Sequence, residues 1–98
     1  MIRIDGLAWD EDAEEHIGRH NVTVQEVEDA VQNIRYAKRS REHLLLIGQT
    51  DEGRYLVVVL DYEGSGYWYP VTARDAQASE RRLANRDKSG KGRRRGNR

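Results

Sequence analysis

Cations dominate the chemistry open to this chain. Lys38, Arg39 and Arg41 share one polar stretch, Arg54 opens the apolar run RYLVVVL, and Arg74 closes the run YWYPVTA. Arg81 and Arg82 follow shortly afterwards. Guanidinium groups bind phosphate bidentately and stabilise the charge that builds on phosphorus when a phosphodiester is attacked. Tyr55, Tyr67 and Tyr69 lie among them, and aromatic rings stack on unpaired bases. His20 is of the one side-chain type that titrates near neutrality, which suits it to moving a proton. Each residue also has a plainer reading. A strand-end arginine is commonly solvated or paired with an acid, here Asp10, Asp75 or Glu80. Alternating aromatics commonly pack a core, and a histidine between helices commonly caps or packs. Residue types alone leave both readings open.

Other chemistries are poorly served. With no cysteine there is neither a thiolate nor a disulfide. His16 and His20 stand at i and i+4 but outside any HExxH pattern, so no metal and no cofactor is expected. Gly64-Ser65-Gly66 reads as a turn rather than a phosphate cradle, and Ser79 has no nucleophile elbow around it. No apolar run approaches the roughly 18 residues of a membrane helix. The acidic start MIRIDGLAWDEDAEE has no signal-peptide core. The cytoplasm is the expected compartment, with no membrane contact.

Positioning these side chains falls to a short list of elements. Met1–Ala8 is a strand or extended lead-in. Asp10 caps a first helix ending near Arg19, with acids in its first turn and Asn21 placed to close it. Thr23 and Glu26 form a capping box, and Val24, Val27, Ala30, Val31 and Ile34 make one apolar helical face. Arg35–Arg41 reads as a polar edge strand and His43–Thr50 as a buried one. Arg54–Tyr62 and Tyr67–Ala73 follow, separated by glycine turns. Pro70 predicts that one side of its strand is unpaired there. A last helix runs from Asp75, its expected N-cap, to about Asp87. The order β-α-α-β-β-β-β-α predicts an α+β fold with an antiparallel sheet. Counting outward from Ser65 sets Arg54 opposite about Ala76, so Arg54 and Arg74 are expected at one end of the sheet.

Charge is unevenly spread. Residues 1–87 hold all 17 acids and 11 of the 17 Lys and Arg, a net −6, while residues 88–98 (KSGKGRRRGNR) hold the other six bases. Residues 1–87 are expected to form one domain, and 88–98 a disordered basic tail. The tail is either a solvated extension or an arm for nucleic acid or an acidic partner.

Trp9-Asp10, His20-Asn21-Val22-Thr23, Ile47-Gly48, Gly53-Arg54 before Leu56-Val57-Val58-Val59, Thr72-Ala73-Arg74-Asp75-Ala76, and Glu80-Arg81-Arg82 occur in that order. This set resembles the BrnT family of type II toxin–antitoxin systems over about residues 7–83. The resemblance implies a RelE-like fold: two N-terminal helices and a C-terminal helix on a curved antiparallel sheet of about four strands. It implies a metal-independent ribonuclease that cleaves RNA and inhibits translation. A BrnA-like, ribbon-helix-helix antitoxin would neutralise it and make any contact with DNA. Carried onto these positions, Arg54 and Arg74 would contact the phosphate, with His20 and Glu80 in acid, base or orienting roles. Lys38, Arg39, Tyr55, Arg81 and Arg82 would bind RNA. Two alternatives remain: a noncatalytic module of this fold that represses transcription with its antitoxin, and a nucleic-acid binder that uses the tail.

Overall fold

A computed structural model describes residues 2–86. The expected disordered tail, 88–98, lies outside the described residues. Five strands form one sheet: β1 (Gly6–Leu7), β2 (Ile34–Ser40), β3 (His43–Gln49), β4 (Tyr55–Gly64) and β5 (Tyr67–Asp75). Their order across the sheet is β1-β5-β4-β3-β2. The helices are α1 (Glu11–Gly18), α2 (Val24–Gln32) and a helical segment over 78–86, α3. The count is one above the about four strands that the resemblance implies, because the lead-in pairs as the first strand of the β-α-α-β-β-β-β-α order. Gly6 and Leu7 run parallel to β5 opposite Tyr67 and Trp68, and every other strand pair is antiparallel.

Local chemistry sets the helix ends. Asp10 accepts the Ala13 N–H at 2.8 Å. Thr23 and Glu26 make both arms of their box, at 3.1 and 3.0 Å. Asn21 takes φ 60, and the Val22 N–H donates to the Ile17 carbonyl at 3.1 Å, so α1 closes in a Schellman-like turn. The start of α3 differs from expectation. Strand β5 runs on through Asp75, and α3 begins at residue 78. Gln77 takes the N-cap place, where Glu80 Oε1 accepts its N–H at 2.7 Å. Asp75 is drawn away to Arg54 instead.

The β4–β5 turn has positive φ at both central residues, Ser65 (56°) and Gly66 (82°), as a type I′ hairpin requires. The hairpin centre therefore lies between them rather than on Ser65. Bulges near Glu63 and Val71 offset each other, so Ala76 donates to the Tyr55 carbonyl at 2.9 Å, one residue from the expected partner Arg54. Because side chains alternate along a strand, that one-residue slip exchanges sheet faces. Pro70 lies opposite Leu60 and past the end of β1, where no ladder N–H is needed on its outer side.

The two faces bury different helices. Leu44, Leu46, Leu56, Val58, Leu60, Trp68 and Ala73 pack against Ile17, Val22, Val27 and Ala30 of α1, α2 and their link. The opposite face carries Ile47 and Val57, covered by Ala76, Ala84 and Leu83 of the α3 region. Gly48 lets α2 lie close on the sheet: a Cβ there would stand 2.1 Å from the Ala30 carbonyl oxygen.

Candidate functional site

Arg54 and Arg74 reach the same end of the sheet, but on opposite faces. Leu56, which shares Arg54's face, opposes Asp75, while Val57 opposes Arg74. On the α1–α2 face, Arg54 Nε donates to Asp75 Oδ1 at 2.7 Å, and Nη1 donates to Glu26 Oε1 at 2.9 Å and to the Asn21 carbonyl at 3.0 Å. The guanidinium thus ties the α1–α2 link and the first turn of α2 to the end of β5. Its pKa is raised, first by the bond to Asp75 and then by Glu26. Asp75 is lowered by Arg54. Burial pushes Glu26 upward, but bonds from Thr23 and Arg54 outweigh it and leave the carboxyl below its ordinary value.

On the α3 face, Arg74 forks onto Glu80. Nη1 reaches Oε1 at 2.9 Å, Nη2 reaches Oε2 at 2.7 Å, and Nη1 also donates to the Asp75 carbonyl at 3.0 Å. Asp75 is therefore the seam between the two arginines, its side chain serving one and its main chain the other. The Arg74 guanidinium, with help from the Gln77 N–H, lowers the Glu80 carboxyl to about 2. A carboxylate that weak as a base is ionised at neutral pH, so Glu80 is fitted to orient Arg74 rather than to carry protons.

The remaining sequence candidates scatter. His20 is exposed beside His16, with ring centroids 5.7 Å apart, and its neighbour Asn21 lends a carbonyl to Arg54. Tyr55 lies under α3 and donates to Asn85 Oδ1 at 3.1 Å. Arg81 donates to the Ala76 carbonyl at 3.0 Å, and Arg82 is exposed on α3. Tyr69 donates to Asp10 Oδ1 at 2.9 Å, which raises its pKa, and the Tyr67 ring packs over Gly6. Lys38 and Arg39 point to opposite faces. Arg39 stacks 5.3 Å from the Trp68 ring centroid, in a cleft of about 430 Å³ lined also by Arg3, Tyr62, Ser65 and Gly66. Lys38 lies opposite Leu45, on the face that bears Arg74.

That face also holds a pair absent from the sequence-derived candidates. His43 Nδ1 meets Asp61 Oδ1, and the two residues are register partners on β3 and β4. Their separation of 18 residues hides them in the sequence, although HLLLIGQT and RYLVVVLDY were legible as neighbouring strands. A hairpin register fixed at Asp51-Glu52-Gly53 would have found them. Among the described residues, no carboxylate forms an ion pair with Arg35, Lys38, Arg39 or Arg41, all on or beside β2, and no group of His, Cys, Asp and Glu is fit to hold a metal ion. No described helix is long and apolar enough to cross a membrane.

No protein-family model and no curated protein matches the chain. A solved structure does: the Brucella abortus ribonuclease toxin BrnT, with a TM-score of 0.58 over 74% of this chain and 96% of that one, at 18% identity. At that identity the likeness is one of fold. The α+β, RelE-like architecture is present, with its three helices and a mostly antiparallel sheet of five strands.

Proposed function

We propose that this chain is the ribonuclease toxin of a type II toxin–antitoxin pair, cleaving RNA without a metal and held inactive by a ribbon-helix-helix antitoxin of the BrnA kind. The observation that carries this reading is the fold shared with a ribonuclease toxin across nearly the whole of that protein. Two positions matched by the family's motifs, Arg74 and Glu80, meet as a bidentate pair on the less covered sheet face. In this reading Arg74 takes a substrate phosphate, with Glu80 fixing its plane until RNA arrives. Arg54, enclosed by Glu26, Asp75 and the Asn21 carbonyl, is assigned a structural role that ties α2 to the end of β5.

Expression without a partner should arrest growth and degrade RNA, and Arg74→Ala should weaken RNA binding and lower kcat/KM by roughly tenfold or more, the loss of one charged hydrogen-bonded contact. Growth and RNA left intact by the wild type would sink the reading. One observation favours a second reading. Both arginines are already neutralised by acids, which suits a noncatalytic module that binds its antitoxin. Tight antitoxin binding without any RNA cleavage would select that alternative.

A further inference from the structure

The face that carries Arg74 is covered by α3 at one end only. Successive cross-strand rows can be followed away from that helix. Tyr36, Ile47, Val57 and Arg74 form the row next to α3. Lys38, Leu45, Val59 and Thr72 form the second row, and Ser40, His43, Asp61 and Tyr69 the third. Adjacent rows stand about 7 Å apart, two residues along a strand. Past the first row no described helix covers this face, although the Tyr69 hydroxyl at its edge reaches Asp10. Leu45 is 39% exposed and the His43 side chain 65% exposed.

We propose that His43 is the general base of RNA cleavage on this open face, with Asp61 as its positioning residue and Lys38 as the cation for the attacked phosphate. The inference rests on the ribonuclease reading above and adds the acid–base group which that reading lacks. Asp61 accepts from Nδ1, which fixes the proton there and leaves the Nε2 lone pair directed away from its partner. Lys38 is within one row and carries no acid that a phosphate would have to displace. Leu45 and Val59 offer an apolar shelf for a base. Arg74, two rows away on the same face, is placed for a neighbouring phosphate. The other candidates fit proton transfer less well: Glu80 is too weak a base, and His20 lies on the α1 link away from this face.

The step balances without any co-reactant. His43 Nε2 takes the proton of a ribose 2′-hydroxyl, and the 2′-oxygen bonds to phosphorus. The bond from phosphorus to the 5′-oxygen breaks, and the imidazolium returns its proton to that leaving oxygen. The products are a 2′,3′-cyclic phosphate and a 5′-hydroxyl.

The test uses the full chain and a short oligoribonucleotide. His43→Gln should lower kcat at least a hundredfold, with KM within about threefold, consistent with loss of general base catalysis. The titratable or charged groups around the imidazole are Asp61 from β4, Lys38 from β2, Tyr69 from β5, and Arg41 and Glu42 in the adjoining turn. Asp61→Asn should lower kcat with little change in KM, because it removes the acceptor that holds the Nδ1 proton and aims Nε2. Independently, a 2′-deoxy analogue, which cannot be cleaved, should shift the His43 imidazole resonances of the wild type. A wild type that cleaves while His43→Gln keeps over half its rate overturns this inference alone, as do imidazole resonances unmoved by the analogue. A wild type that leaves RNA intact overturns the ribonuclease reading with it.

Discussion

Glu80 ties one part of this protein's acid sensitivity to Arg74, while Glu26 and Asp75 tie another to Arg54. The Glu80 carboxyl falls from 4.5 to about 2 in the folded chain, first because Arg74 bonds to it. A depressed folded value means that the pair stabilises the fold fully above about pH 4.5 and loses that stabilisation as pH falls toward 2. Urea midpoints measured between these limits should drop for the wild type and stay flatter for Glu80→Gln. At neutral pH, Arg74→Ala should cost little stability, because the pair is partly exposed and such pairs contribute about 0–1 kcal/mol. Residue types had named acid pairing as the plainer fate of these arginines, and both arginines met it. They could not say which acid each would meet, since Arg74 joins a residue one helical turn into α3 while Arg54 reaches across to α2.

Elements were read more securely than the faces they present. The capping box at Thr23, the closure at Asn21 and the consecutive hairpins from β2 to β5 follow from short-range chemistry that a sequence displays directly, whereas the parallel pairing of β1 with β5 does not. Sheet face does not, because it depends on a register counted through the turn and two bulges. That single residue of offset separates Arg54 from Arg74, and no local signal marks it. The consequence is a division of labour that a stability measurement can check. Arg54→Ala should cost about 1–2 kcal/mol, since it leaves Glu26 and Asp75 without their partner and unties α2 from β5. Thermal or urea unfolding reads this directly, and RNA cleavage by the folded fraction should be nearly unchanged.

At the scale of the whole molecule, the charge separation seen in the sequence still governs any meeting with RNA. A body of net −6 opposes phosphates as a whole, whereas residues 88–98 add six bases. Their arrangement lies outside the described residues, but their effect is measurable. If all six meet phosphates, truncation after Asp87 should reduce the log–log salt dependence of RNA binding by about 4, from roughly 0.7 per phosphate contact on a single strand. An unchanged slope would mean that the tail does not touch RNA. The strand β5 has a consequence for how this molecule is made. Among the described residues, Gly6 and Leu7 find their ladder partners at Tyr67 and Trp68, and Asp75 and Arg74 sit at the far end of the same strand. The β2-β3-β4 meander can pair as it emerges during synthesis, but the first strand waits for the last. A growing chain therefore has no complete sheet, and no Arg74 on its face, until most of its folded part has left the ribosome.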